Sequence, residues 1–335
     1  MPRPRVTAHI GNMVNKSESS ELARDFAGVL VDPISRGELH LRDGALASGD
    51  GVRTFRPGTD GYFDFTIGDQ FYDMESTSEE YAGEQQESWR RFYEAYLKPW
   101  VDRESAQRVL EVGCGMGLGI RFLRDDGIEA YGIDIPCLAR FWARAGNDPA
   151  HFINCDGARM PFPDGYFDAV YTLGTIEHIG TKAGHYTLKD DYWDTRVAFA
   201  KEMLRVTKKT GRLLVTCPNK SFPIDIHHEP TDAATPPGKM KWRRHIFDTY
   251  GMTLHWPFGK YHLFSYSELK GLFCEFNQAA SIEPLPLKDY FAFKRTGSLG
   301  MLRRLKNVIT RYIETMPAAL RKSPLNPFLV VEVRK

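Results

Sequence analysis

Val109-Leu110-Glu111-Val112-Gly113-Cys114-Gly115-Met116-Gly117-Leu118-Gly119 runs from a short apolar stretch into a glycine-rich turn that leads into a helical pattern. The apolar run predicts a buried strand. Glycines in such a turn let the backbone approach a bound ligand, and the start of the following helix offers unpaired N–H groups. Together they imply a nucleotide-like ligand. The dinucleotide fingerprint G-x-G-x-x-G requires a third glycine where this chain has Leu118, counted from Gly113, or Ile120, counted from Gly115. That reading loses ground.

On both sides of the turn, the runs Val109–Val112, Ala130–Ile135, His151–Ile153, Ala169–Leu173 and Leu213–Thr216 alternate with amphipathic stretches. This rhythm predicts an α/β fold, a doubly wound and mostly parallel sheet covered by helices. Asp134 closes the second run, where its two oxygens can accept both hydroxyls of a ribose. The next block is more specific: Asn154-Cys155-Asp156-Gly157-Ala158-Arg159-Met160-Pro161-Phe162-Pro163-Asp164-Gly165-Tyr166-Phe167-Asp168, followed by Leu173 to His178.

With these motifs in this order the chain resembles the class I S-adenosylmethionine-dependent methyltransferases, in the group with an E-x-G-x-G-x-G loop and a P-F-P-D-x-x-F-D segment. The resemblance spans about residues 105–220 and extends loosely to the final strands. It implies a Rossmann-like fold and S-adenosyl-L-methionine as cofactor. It also implies that Glu111, Gly113, Gly115 and Gly117 belong to the cofactor-binding loop, with the three glycines lining the methionine and ribose. Asp134 would hold the ribose hydroxyls, Asp156 and the Gly157 backbone would meet the adenine, and Leu173 with Gly174 would lie beside the reactive methyl.

The rest of the chain is organised around this core. Residues 1–28 are mixed and polar without a strong period. Residues 29–76 form a small β-rich unit with turn signals at Asp43-Gly44, Asp50-Gly51 and Asp60-Gly61. Asp32-Pro33-Ile34-Ser35-Arg36-Gly37-Glu38-Leu39 and Gly51-Val52-Arg53-Thr54-Phe55 resemble the zinc-ribbon module that precedes some bacterial methyltransferase domains. Asp32 and Ser35 stand where that module has cysteines, so the unit is expected to be metal-free. Residues 77–220 form the cofactor-binding core, entered through an amphipathic helix over 77–102. The Pro-rich stretch 221–262 shows no sustained period and reads as an insertion or lid. Residues 263–335 complete the core, with helices over Ser265–Phe273 and Met301–Leu320 and strands in Ala280–Phe293 and Phe328–Val333. The basic amphipathic stretch Leu302–Lys322 reads as packed on the core through its apolar stripe.

Methyl transfer from a sulfonium places the acceptor atom in line with the S–CH3 bond, and an oxygen acceptor must also lose a proton. The candidate bases are His227, at the start of the insertion, and His178, in Glu177-His178 after the fourth core strand; His185, His245, His255 and His262 read as structural or surface residues. No metal site is assigned. His227 and His228 are neighbours, and neighbours on an extended chain point to opposite faces, so the two do not readily share an ion. Forty-four Lys+Arg against 43 Asp+Glu give a net charge of +1, which argues against nucleic acid as a partner. No apolar run approaches the roughly 18 residues of a membrane span. The odd, widely spaced set of five cysteines fits a reducing, cytoplasmic setting. No feature specifies an oligomeric state. The leading expectation is O-methylation of a small-molecule substrate. N- or C-methylation or another use of the cofactor, an RNA methyltransferase, and a binding protein without chemistry are the alternatives.

Overall fold

The computed structural model describes residues 16–68, 89–103, 105–182, 187–225, 228, 230, 239–250, 252–255, 260–290 and 311–335. Its central strands follow the apolar runs: β5 (Arg108–Val112), β6 (Glu129–Asp134), β7 (Phe152–Asn154), β8 (Phe167–Leu173) and β9 (Thr207–Pro218). Ahead of them come β1 (Leu39–Arg42), β2 (Ala45–Ser48), β3 (Thr54–Pro57) and β4 (Phe63–Asp64). Behind them come β10 (Ile224–Asp225), β11 (Thr253–Leu254), β12 (Ser281–Pro284) and β13 (Phe328–Arg334). Eleven of these form one sheet in the order β1-β2-β3-β4-β7-β6-β5-β8-β9-β13-β12, while β10 and β11 pair separately.

From β4 to β9 each strand is parallel to its neighbour, as in Leu110↔Tyr131 and Leu110↔Val170 across β5. β13 runs antiparallel to both β9 and β12. Parallel strands are buried on both faces, and side-chain alternation divides them between two apolar layers. Leu110, Val112, Ile133, Val170, Leu213 and Val215 pack with Phe199, Ala200 and Met203 of the helix Tyr192–Val206. Val109, Ala130, Ala169, Tyr171 and Leu214 pack on the other side with Ile120 and Leu123 of the helix Leu118–Asp125. The chain leaves β5, adds β6 and β7 to one side, and returns to set β8 and β9 on the other. At that reversal the helices after β5 and β8 lie on opposite faces, which opens a crevice beyond the carboxyl ends of the two strands.

The N-terminal region departs from its sequence reading. Lys16–Ala27 is a helix, with Ala23 and Phe26 buried in the first layer. Its apolar stripe is only about two turns long, too short to stand out as a period among its polar neighbours. The strands β1 to β4 are continuous with the central sheet through Asp64↔Asn154, and Phe55, Phe63 and Phe65 share the first layer with Leu110. Fully buried Asp32 organises the preceding turn: its carboxylate accepts the N–H groups of Ile34 at 2.8 Å and Ser35 at 2.7 Å, and Arg53 Nε–H at 2.7 Å.

Residues 89–102 are helical with a π turn at Tyr93–Leu97, and the remainder of the helix expected over 77–102 lies outside the described residues. The insertion carries structure that the sequence did not signal, a helix at Met240–Tyr250 and the β10–β11 pair. The helix was hidden because its buried residue is Arg243, while Trp242 and Tyr250 are exposed. Of the helix expected over Met301–Leu320, residues 301–310 lie outside the described residues; 311–314 are helical, followed by a 3-10 turn at Ala318–Leu320.

Candidate active site

The glycine turn sits at the mouth of the crevice. Gly113 and Gly117 have φ of 77° and 74°, in the left-handed region that favours glycine. A Cβ at Gly113 would meet Thr175 Oγ1 at 2.2 Å, and one at Gly117 would meet the Phe152 ring at 2.3 Å. At Gly115 a Cβ would touch nothing within 4 Å, so the turn leaves open space at its middle. Trp142 Nε1–H donates to the Gly115 carbonyl at 2.7 Å and fixes the turn from behind. The helix Leu118–Asp125 begins directly after Gly117 without a side-chain cap, leaving its first N–H groups toward the turn.

Asp134, at the end of β6, accepts the N–H of Gly115 at 2.7 Å and of Ile135 at 2.8 Å. Each carboxylate oxygen keeps a second acceptor position, so these bonds aim the group and leave capacity for two hydroxyls. Burial raises its pKa to about 6, against the pull of the two N–H bonds. Asp156 accepts the Ala158 N–H at 2.9 Å, and Cys155 N–H donates to the Asp134 carbonyl at 3.1 Å, so the turns after β6 and β7 adjoin. Gly157 lies where a Cβ would strike Phe199 at 2.6 Å. Glu111 sits beneath the turn, 1% exposed, and accepts the Tyr171 hydroxyl at 2.9 Å. Burial pushes its carboxyl well above the usual carboxylate range.

On the other wall, Leu173 is half-buried at the end of β8 and Gly174 N–H donates to the Thr216 carbonyl at 3.1 Å. The 3-10 turn Ile176–His178 follows. There the structure gathers a group that sequence spacing did not bring together. Glu177 is 1% exposed and His178 half-buried, and the ring of His228 lies 5.3 Å from that of His178. Asp225 Oδ2 is 2.7 Å from His228 Nδ1, and the His262 ring stands edge-on to His228 at 4.9 Å. Burial raises the Glu177 pKa to about 7, with His228 pulling it back. Burial opposes protonation of His228, yet the Asp225 hydrogen bond and charge outweigh it and hold the imidazole above its ordinary value.

Arg196 locks this wall. Its guanidinium, 2% exposed, donates to the carbonyls of Ile179 at 3.0 Å, Glu177 at 3.2 Å and His262 at 2.5 Å. Among the other histidines, buried His255 meets the Lys220 carbonyl at 2.8 Å and His245 is exposed. His227 and His185 lie outside the described residues. The sequence signals for the missed pair were the i, i+3 spacing of Asp225 and His228 and the return of the chain to the β8 end, and only the second needs the fold.

A protein-family model described as a methyltransferase domain matches residues 110–215. Tocopherol O-methyltransferase, chloroplastic, of Arabidopsis thaliana is 28% identical over 184 residues, 49% of this chain and 48% of that protein. The 2-methyl-6-phytyl-1,4-hydroquinone methyltransferase of a Synechocystis species is 33% identical over 130 residues, 36% of each chain. A probable S-adenosylmethionine-dependent methyltransferase of Mycobacterium tuberculosis is 26% identical over 132 residues, 39% of this chain and 43% of the relative. The chain thus spans about half the length, or less, of these curated relatives. A glycine turn at the reversal point of a doubly wound sheet and an acidic residue closing the adjacent strand fall within the stretch, residues 110–215, that matches the methyltransferase-domain model.

Proposed function

We propose that the protein transfers the methyl group of S-adenosylmethionine to an oxygen of a small-molecule acceptor held in the crevice. The observation that carries this reading is the adjacency of two strand ends. The ligand-ready turn with Asp134 closes β5 and β6, and the Glu177–His178–His228 group stands past the neighbouring β8. Donor and proton-accepting groups then face one another across the crevice. The reaction forms an O–C bond as the C–S bond breaks, and the acceptor's proton leaves through the polar group. His178 is a proposed base on position; His227, the other, follows β10 one residue before His228.

Gly113, Gly115, Gly117, Asp134, Asp156, Gly157 and Leu173 are the proposed cofactor contacts, with Glu111 supporting the turn from below. Residues 221–262 are proposed to cover the acceptor, and their aromatic residues suit an apolar one. Two relatives named for a tocopherol and a phytyl hydroquinone fit that chemistry, since both names denote aromatic hydroxyl compounds with apolar tails. The N-terminal strands are proposed to be a metal-free packing unit, supported by the Asp32–Arg53 ion pair in the turn. The proposed setting is the cytoplasm, supported by cysteines that are free in the fold.

The test is incubation of the purified protein with methyl-labelled S-adenosylmethionine, a pool of small metabolites and total RNA, with products resolved by mass. Label on an oxygen of an apolar small molecule supports the reading. Label on nitrogen or carbon overturns the oxygen assignment, and label confined to RNA overturns the small-molecule assignment.

A further inference from the structure

We propose that Glu177, His178 and His228 bind one zinc ion on the acceptor side of the crevice, with Asp225 orienting His228 from behind. One carboxylate oxygen and two imidazole nitrogens from these residues lie within 4.8 Å of one another, although the chain separates His178 from His228 by the whole of β9. Two imidazoles and a carboxylate with an open fourth position form a donor set suited to zinc. Donors sharing a zinc at about 2.0–2.2 Å lie no more than roughly 4 Å apart, so binding draws this group in by up to about 1 Å.

Independent observations point to a cation at this place. Glu177 is 1% exposed, and among the described residues its Oε2 has no hydrogen-bond partner and its carboxylate no ion pair. A buried carboxylate in that position is costly until a cation meets it. Asp225, 1% exposed, holds the Nδ1 side of His228 at 2.7 Å, and Nε2 is the nitrogen proposed to ligate. A carboxylate behind a histidine is the usual way such a ligand is held in its tautomer and orientation. Arg196 fixes the backbone on both sides by binding the carbonyls of Glu177 and His262. The group also borders the crevice, because a Cβ at Gly174 would lie 3.6 Å from Glu177 Oε1.

The inference deepens the oxygen-methylation reading and rests on it only for what fills the open position. There the acceptor hydroxyl would bind zinc and release its proton to solvent, and His178 would serve as a ligand in place of the base proposed above. The oxygen lone pair then forms the bond to the methyl carbon as the sulfonium C–S bond breaks, giving a methyl ether and S-adenosylhomocysteine.

The test uses untagged full-length protein, stripped with a chelator and titrated with zinc and, as a spectroscopic probe, cobalt(II), while S-adenosylhomocysteine affinity is measured on the same samples as a check of folding. Expected are one zinc per chain and a four-coordinate cobalt spectrum. Glu177→Gln and His228→Ala should abolish that spectrum, and Asp225→Asn should weaken zinc by about 10- to 100-fold, all with S-adenosylhomocysteine affinity unchanged. Wild-type protein that binds S-adenosylhomocysteine but takes up no zinc overturns the inference, as do variants that bind zinc like wild type. Full-rate oxygen methylation by the stripped protein overturns the role of the ion and leaves the proposed function standing. One zinc per chain without any oxygen-methylated product supports the site and overturns the proposed function.

Discussion

At the scale of single residues, Asp134 is the most informative position because two backbone N–H bonds aim it at the turn while burial holds its pKa at about 6. Asp134→Ala should weaken S-adenosylhomocysteine by about 10- to 100-fold in calorimetry, the value of charge-assisted hydrogen bonds to two hydroxyls. The pH dependence has a definite sign. The carboxylate must be ionised to accept those hydroxyls, so cofactor affinity should rise as pH increases through about 6 and fall below it. Stability of the empty protein moves the other way. Between the ordinary value of 3.8 and about 6 the folded state keeps a proton that the unfolded chain has released, so this group's contribution declines as pH rises through that window. A cofactor affinity that is flat from pH 5 to 8 would contradict the assignment. His178→Ala belongs to the same scale: kcat should drop by roughly 10²–10⁴ with S-adenosylhomocysteine affinity unchanged. Loss of cofactor affinity together with rate would make His178 a cofactor-wall residue instead.

At the scale of elements, the central strands could be read from the sequence because a parallel strand buried on both faces leaves an uninterrupted apolar run, as in Val109–Val112 and Ala169–Leu173. The turn after β5 was readable for a related reason: three glycines at alternate positions have few other uses. The wall beyond β8 was not. Glu177, the Asp225–His228 pair and His262 come from three separate segments, and their meeting depends on β8 lying beside β9 and on Arg196 of the helix Tyr192–Val206. No local period encodes such long-range placement. Arg196→Met should therefore act at a distance. Leaving three buried carbonyls without their donor should lower stability by about 3 kcal/mol, read from the urea midpoint, and should depress kcat more than cofactor affinity. A variant as stable and active as wild type would show that the clamp is dispensable.

At the scale of the whole molecule, the N-terminal strands extend the central sheet, so disturbing their pairing should reach the cofactor side. The join at Asp64↔Asn154 connects β4 to the strand after which Asp156 and Gly157 stand. The sequence showed the β-rich character of this region through its Asp-Gly turns but not its docking, since one residue pair far apart in the chain makes the parallel contact. The reversal of strand order at β5 and β8 brings the glycine turn and the Glu177–His178–His228 group to one crevice, and both the proposed methyl transfer and the proposed zinc site depend on that arrangement. Its most direct test is a crystal structure of the protein with S-adenosylhomocysteine. Expected are ribose hydroxyls on Asp134, adenine beside Asp156 and Gly157, and sulfur toward Leu173 and Gly174, facing the Glu177–His178–His228 group. A ligand bound elsewhere, or one whose sulfur points away from that group, would contradict it.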